Sequence, residues 1–64
     1  MSDRLLTPKD AAAYLSRSES ALKLWRAKGI GPAYVKLNAR TLRYRESDLQ
    51  TWIEANIYGG ESHG

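Results

Sequence analysis

The chain has 64 residues, contains no cysteine and carries a formal net charge of +3 at pH 7. A chain of this length forms one domain and buries only about 60% of its unfolded surface. Without cysteine it forms no disulfide bond and no thiolate metal site. It also has neither the run of ~20 apolar residues that spans a bilayer nor a signal-peptide pattern, so a soluble protein of the cytoplasm is expected.

Positive charge is concentrated in the middle of the chain. Eight of the ten lysine and arginine residues lie between Arg17 and Arg45, and Glu19 is the only acidic residue in that window. The window therefore has a net charge of +7, and the rest of the chain has a net charge of −4. A field polarised in this way attracts polyanions to one face. Nucleic acid is the first partner that this pattern indicates.

The first predicted element is a short helix from about Pro8 to Leu15. Thr7 is a favourable N-cap, Pro8 suits the first helical position, and Asp10 complements the positive end of the helix dipole. The apolar positions of this helix are Ala11, Ala12 and Leu15, with Tyr14 beside them. Their spacing predicts one narrow face that packs against the rest of the domain.

A second helix of about 11 residues, roughly 16 Å long, is predicted to follow a short break. Ser16 and Ser18 both have the residue type of an N-cap, and Ser16 also has capping-box spacing to Glu19. Gly29 marks the end of the helix. The apolar face of the helix is formed by Ala21, Leu22 and Trp25.

Alternating apolar residues then predict two short strands on either side of a turn at residues 38–40. The shared apolar face of these strands is formed by Val35, Leu37, Leu42 and Tyr44. Asn38 tolerates the left-handed backbone conformation that such a turn uses. The opposite face is expected to carry Lys36, Arg43 and Arg45, with Arg40 at the tip.

The last predicted helix runs from about Glu46 to Ile57. Glu46 and Asp48 stand in its first turn, where acidic side chains stabilise the helix dipole. The apolar residues at helical spacing are Leu49, Trp52, Ile53 and Ile57. Residues 1–58 are expected to form a single domain, and residues 59–64 a flexible tail.

Two short helices joined by a tight turn and followed by a basic hairpin are the parts of a winged helix-turn-helix. The predicted fold is therefore α+β and mostly α, with three helices and a two-stranded hairpin wing between the second and the third. In this architecture the second helix enters the major groove of DNA, which is about 12 Å wide. The tip of the hairpin reaches phosphate or a narrow minor groove.

An ordered set of residues along the chain resembles a known family. The set is Leu6-Thr7-Pro8-Lys9-Asp10-Ala11-Ala12, Leu15, Ser18, Leu22, Trp25, Gly29, Gly31-Pro32, Lys36-Leu37, Leu42-Arg43-Tyr44, Asp48-Leu49 and Trp52-Ile53. It is similar to the excisionase and AlpA-type branch of MerR-like winged-helix proteins, over about Leu5 to Ala55. The resemblance implies a sequence-specific duplex-DNA-binding protein of a phage, plasmid or integrative element, associated with the nucleoid of a bacterial host cell.

The resemblance implies one of two roles. The preferred role is that of an excisionase, a recombination directionality factor that bends attachment-site DNA and promotes excision by an integrase. The alternative is a small transcriptional regulator. The resemblance also implies head-to-tail binding of several copies along the DNA. A hypothesis from another class is a protein-interaction module whose basic face docks an acidic partner.

The resemblance places the DNA contacts on the second helix and on the wing. On the helix they fall on Ser18, Glu19, Ser20, Lys23 and Leu24, and they extend to Arg26. On the wing they fall on Lys36, Asn38, Arg40, Thr41 and Arg43. Two positions depart from the family pattern, because Leu24 replaces a common basic residue and Asn38-Ala39 replaces a turn of glycine and a basic residue.

Several charged residues admit a second interpretation. Lys23 and Arg26 form either a DNA contact or a solvated helix face, and the near absence of neighbouring acids favours DNA. Arg17, in the turn between the helices, reaches either phosphate or solvent, and phosphate is preferred. Glu19 accepts a hydrogen bond from a cytosine amino group or stabilises the helix dipole. Arg45 contacts DNA or pairs with an acidic residue at the start of the third helix.

The remaining candidates indicate structure rather than chemistry. Trp25 and Trp52 are residues of the type that stacks on bases, but their apolar helical positions favour packing in the core. His63 is the only histidine, so no metal site is expected. Ser47 and Asp48 have no histidine partner for nucleophilic catalysis. Neither enzyme activity nor a cofactor is expected.

Overall fold

The computed structural model describes residues 3–58. That part of the chain contains three helices and three short strands, which are β1 (Leu5–Leu6), α1 (Pro8–Tyr14), α2 (Glu19–Lys28), β2 (Val35–Lys36), β3 (Leu42–Arg45) and α3 (Glu46–Ala55). The mostly helical α+β fold is confirmed, with a helix-turn-helix followed by a hairpin wing formed by β2, β3 and the turn between them. The predicted tail at residues 59–64, with His63, lies outside the described residues.

Local capping defines both helices of the helix-turn-helix. The Thr7 hydroxyl accepts a hydrogen bond from the amide of Asp10 at 3.1 Å, which begins α1. The Ser18 hydroxyl accepts one from the amide of Ala21, also at 3.1 Å, which begins α2. Gly29 ends α2 in the left-handed conformation, with φ of 72°. The predicted caps at Thr7, Ser18 and Gly29 are therefore confirmed.

The predicted capping box between Ser16 and Glu19 is wrong, because Ser16 ends α1 instead of beginning α2. The amide of Ser16 donates to the carbonyl of Ala13 at 3.1 Å, and the amide of Arg17 donates to the carbonyl of Ala12 at 2.8 Å. This pair of bonds is the Schellman arrangement, which needs a left-handed residue after the C-cap. Ser16 supplies it with φ of 58°, and within residues 3–58 it is the only residue other than glycine with a positive φ.

The sheet has three antiparallel strands in the order β1-β3-β2. The sequence predicted only the hairpin of β2 and β3, and it missed β1 as a strand. In the observed pairing Leu6 lies opposite Tyr44, and Leu5 lies opposite Arg45. Leu6 and Tyr44 are both buried, so this pairing aligns the two apolar residues on the inner face of the sheet.

The register of β2 differs from the prediction by one residue. Val35 lies opposite Arg43, and Lys36 lies opposite Leu42. Because residues opposite each other in an antiparallel pair project to the same face, Lys36 shares the face of Leu42, while Val35 shares the face of Arg43. The predicted common basic face of Lys36 and Arg43 is therefore wrong. Leu37, which the alternation placed on the apolar face, is 53% exposed.

The hairpin turn at residues 38–40 is confirmed, but its geometry is not the predicted one. The amide of Leu37 donates to the carbonyl of Thr41 at 2.8 Å, which closes the hairpin. Asn38 is not left-handed. Its side-chain oxygen instead accepts a hydrogen bond from the amide of Arg40 at 2.9 Å. This local bond between side chain and backbone shapes the turn without a positive φ.

The core is small and lies between the sheet, α1, α2 and α3. Its buried members are Leu6, Ala11, Ala12, Leu22, Tyr44 and Leu49, and the half-buried residues packed against them are Leu15, Trp25 and Leu42. The rings of Trp25 and Trp52 lie 5.0 Å apart and pack against each other. Ile53 and Ile57, which have helical spacing to Leu49 and Trp52, lie outside the core and are 36% and 52% exposed. The predicted end of the last helix at Ile57 is wrong, because α3 ends at Ala55.

The first described residues hold the start of α3. The carboxylate of Asp3 accepts hydrogen bonds from the hydroxyl and the amide of Ser47, and the carbonyl of Arg4 accepts one from the amide of Glu46 at 2.9 Å. Arg45, the residue at the N-cap position of α3, makes no capping bond of its own. The hydroxyl and then the amide of Ser47, with a smaller contribution from Arg45, hold the pKa of Asp3 below its ordinary value of 3.8.

Candidate nucleic-acid interface

The outer face of α2 is exposed and continuous. Leu22 is fully buried and anchors the opposite face of the helix in the core. Residues three and four positions apart are neighbours on a helix surface, so Ser20, Lys23 and Leu24 form one patch, and all three are exposed. Leu24 is 52% exposed. A leucine with this exposure presents methyl groups at the same surface as the Lys23 ammonium group.

The predicted residues at the beginning of α2 are also exposed. Ser18 and Glu19 both lie on the surface. The Ser18 hydroxyl already accepts the capping bond from Ala21, but a hydroxyl can still donate a hydrogen bond to a further acceptor. Glu19 stands in the first turn, where its charge complements the helix dipole. These positions are suited to polar contacts at the N-terminal end of a recognition helix.

Arg17 lies in the turn before α2 and remains exposed. Its guanidinium carbon is 5.8 Å from the centroid of the Trp25 ring. At this distance the ring face attracts the cation. The guanidinium keeps its charge and its hydrogen-bond donors, so its contact with Trp25 is compatible with an additional contact to phosphate.

Arg26 does not join the exposed face of α2, in contrast to the prediction. Its side chain is half-buried, and its terminal nitrogen donates a hydrogen bond to the Tyr44 hydroxyl at 2.7 Å. Its guanidinium carbon lies 5.8 Å from the Tyr34 ring centroid and 6.0 Å from that of Tyr44. Arg26 follows Leu22 by four positions and therefore lies on the inward side of the helix. The solvated face is thus excluded for Arg26, whereas its contact with DNA stays a prediction.

The tip of the wing presents one exposed cation, Arg40. Asn38, Ala39 and Arg40 are all exposed. The bond from the Arg40 amide to the Asn38 side chain orders the backbone at the position from which Arg40 projects. Thr41 is half-buried, and its amide and carbonyl both form hydrogen bonds across the turn. The turn therefore uses the Asn38 oxygen and the Thr41 backbone for its own structure, which leaves Arg40 as the charged group at the tip.

The other two predicted wing cations lie on opposite faces of the hairpin. Lys36 is exposed and lies on the edge strand β2. Arg43 is half-buried, and its guanidinium donates to the carbonyl of Leu42 at 2.8 Å. The two charges therefore flank the wing instead of forming one surface.

Arg45 pairs with an acid at the start of α3, which was one of its two expected roles. Its guanidinium donates to both carboxylate oxygens of Asp48, at 2.7 and 3.1 Å. Hydrogen bonding to Asp48, and then the charge of Asp48, raise the pKa of Arg45. Within residues 3–58 this is the only ion pair. The other basic residues of the helix-turn-helix and the wing have no acidic partner in that part of the chain.

Tyr34 is a residue to which the sequence pattern assigns no role. Its ring centroid lies 5.8 Å from that of Tyr44, as the register of the wing requires, because Tyr34 immediately precedes β2 and lies across from Tyr44. Tyr34 and Lys36 are two positions apart, so the sequence places them on the same face of an extended segment. Only the observed register shows that this is also the face of Tyr44.

The described chain shows no other candidate site. Residues 3–58 enclose no pocket and contain no cluster of side chains suited to a metal ion. None of the helices in this part of the chain is long and apolar enough to cross a membrane. The exposed face of α2 and the wing is thus the candidate that the geometry supports.

Comparison with known proteins assigns the family. A family model described as a helix-turn-helix domain matches residues 5–57, which include both helices, the wing and α3. Neither the curated proteins nor the solved structures contain a match. The match covers most of the 64-residue chain. The chain therefore belongs to the helix-turn-helix domain family and is a DNA-binding protein of that class.

Proposed function

We propose that the protein binds duplex DNA in a sequence-specific manner, with α2 in the major groove and the wing against the neighbouring backbone. The observation that carries this proposal is the distribution of charge among residues 3–58. In the basic window only Arg45 has an acidic partner, and Lys23, Lys36 and Arg40 are exposed. Unpaired cations on a recognition helix and a wing are suited to the phosphates on either side of a groove.

Each proposed contact follows from the chemistry of its side chain. Leu24 has the methyl groups to contact a thymine methyl, and Ser18, Ser20 and Glu19 have the polar atoms to contact base edges or sugar and phosphate oxygens. Asn38 and Thr41 contribute through the wing turn. The phosphate contacts are assigned to the exposed or flanking cations, which are Arg17, Lys23, Lys36, Arg40 and Arg43.

Titration of a duplex at several salt concentrations tests the binding mode. Five phosphate contacts predict a slope of log K against log salt of about −4.5. A protein-interaction module whose basic face docks an acidic protein predicts no measurable binding to duplex DNA even at low salt. A flat salt response, or no binding, would therefore favour that alternative.

The proposed biological role is that of an excisionase, a recombination directionality factor of a phage or related mobile element. This role is supported by the resemblance of residues 5–55 to excisionase and AlpA-type proteins. Several copies bound head to tail would bend attachment-site DNA for an integrase. The second candidate, a small transcriptional regulator, uses the same interface on a promoter.

A recombination assay separates the two candidate roles. Supercoiled DNA carrying the attachment sites and the cognate integrase is incubated with and without the protein. The excisionase role predicts a higher yield of excised product when the protein is present. An unchanged yield, combined with protection of DNA upstream of the gene for this protein in a footprint, would assign the regulatory role instead.

A further inference from the structure

Arg26 connects the recognition helix to both sides of the wing. Its hydrogen bond to the Tyr44 hydroxyl, at 2.7 Å, reaches β3. Its guanidinium carbon lies 5.8 Å from the centroid of the Tyr34 ring, in the residue that precedes β2. The Tyr34 and Tyr44 rings also pack against each other at 5.8 Å. One side chain of α2 therefore lies against β3 and against the residue that precedes β2.

We propose that Arg26 is a positioning residue that sets the placement of the wing relative to α2, and that it makes no contact with DNA. This inference rests on the proposed binding mode, in which α2 and the wing engage the same duplex. It removes Arg26 from the proposed contacts. It also assigns a function to Tyr34 and Tyr44, which act through Arg26.

The chain needs such a connection because the covalent link between α2 and the wing has no regular secondary structure. Residues 29–34 form neither helix nor strand. In the chain, Lys23 precedes this segment and Arg40 follows it. The distance between these two proposed contact residues therefore depends on tertiary contacts. A wing that is already in place before DNA binds avoids the entropic cost of ordering it during binding.

The chemistry of the site requires an arginine. Tyr44 is only 1% exposed, and the hydroxyl of a buried tyrosine needs a hydrogen-bond partner. A planar guanidinium can donate to that hydroxyl while it stacks near two aromatic rings, whereas a lysine ammonium is a compact, strongly hydrated charge. Both side chains, however, bind phosphate. An Arg26→Lys substitution therefore separates the two roles, because it preserves a phosphate contact and loses the planar contact with the rings.

The test measures duplex affinity and salt slope for Arg26→Lys, Tyr44→Phe and the double variant. The positioning role predicts that each single substitution weakens binding by about ten-fold, because Tyr44→Phe removes a hydrogen bond of a charged donor and Arg26→Lys removes the planar contact with the rings. It also predicts that the double variant binds DNA with the same affinity as the single variant of lower affinity, since both substitutions disrupt the same interaction. The salt slope stays at the value of the unsubstituted protein. Arg4→Lys, an exposed substitution outside the basic window, is the matched control and should bind normally.

Two outcomes of these binding measurements would overturn the proposal. If Arg26→Lys binds like the unsubstituted protein while Arg26→Gln reduces the magnitude of the salt slope by about 0.9, Arg26 contacts a phosphate. If the effects of Arg26→Lys and Tyr44→Phe simply add, the two residues do not act together. A failure of the unsubstituted protein to bind duplex DNA would instead contradict the proposed function, and the same assay reveals it.

A measurement without DNA completes the test. Amide hydrogen exchange reports the stability of the wing through the bond from the Leu37 amide to the Thr41 carbonyl. The proposal predicts faster exchange in the wing of Arg26→Lys, with unchanged exchange in α1, which shows that the domain remains folded. Unchanged exchange in the wing would contradict a positioning role even if DNA affinity falls.

Discussion

Gly29 and Gly31 can be compared directly, because both have a positive φ but only Gly31 lies against another side chain. Their φ angles are 72° and 87°. A Cβ atom at Gly29 would meet nothing within 4 Å, whereas one at Gly31 would lie 2.9 Å from Cε3 and 3.0 Å from Cβ of Trp25. Alanine therefore introduces backbone strain at both positions but a steric clash only at Gly31.

The expected magnitudes follow from these two contributions. Left-handed alanine costs about 1–2 kcal/mol, partly offset by the lower entropy of the unfolded chain, so Gly29→Ala should destabilise the domain by about 1 kcal/mol. Overpacking adds about 1–3 kcal/mol, so Gly31→Ala should cost about 2–4 kcal/mol. Trp25 is restricted in how far it can move because its ring packs against Trp52 at 5.0 Å.

Urea and thermal unfolding of the two variants measure the difference. For a domain of this size, each 1 kcal/mol lowers Tm by roughly 4–8 °C. Gly31→Ala should therefore melt well below Gly29→Ala, and its Trp fluorescence should change because the clash falls on Trp25. Equal stability of the two variants would refute the claim that Trp25 is held tightly against the loop.

Three further predictions concern the stability of the domain. Trp52→Ala should destabilise it by about 2 kcal/mol, less than for a fully buried tryptophan, because Trp52 is half-buried; an unchanged urea midpoint would contradict its packing role. Ser16→Gly should stabilise the domain by about 0.5–1 kcal/mol by relieving a left-handed serine, and a lower Tm would exclude that explanation. Asp3→Asn should destabilise α3. Because the folded-state pKa of Asp3 is lowered, the contribution of its carboxylate to the stability of the domain is present above pH 3.8. That contribution is lost as the pH falls through the lowered pKa. The difference in Tm between the two proteins should therefore be present at pH 7 and shrink below pH 3.8, and a constant difference would argue against the cap.

The start of α1 and both ends of α2 were predictable because helix caps are local. Thr7, Ser18 and Gly29 act on residues within three or four positions of themselves, and each has the role that its residue type favours. Ser16 was misassigned because a serine can begin a helix or, at some cost, follow one in the left-handed conformation. The sequence does not indicate which helix end the residue will occupy.

The sheet was less predictable because strand pairing depends on residues far apart in the chain. β1 has only two residues and pairs with β3, so alternation has too few positions to reveal it. In the wing, alternation fixes which residues share a face within one strand but not which faces of two strands coincide. The pair of rings that Arg26 meets depends on that register, because the register brings Tyr34 beside Tyr44.

The central claim is that α2 and the wing engage the same duplex, and the salt dependence of the double variant Lys23→Ala/Arg40→Ala tests it most directly. If both cations contact phosphates of one duplex, the slope should change from about −4.5 to about −3.6 in each single variant and about −2.7 in the double variant. All three variants should retain the Tm of the unsubstituted protein, because both residues are exposed. A double variant with the slope of Lys23→Ala alone would show that the wing does not reach the DNA that α2 binds.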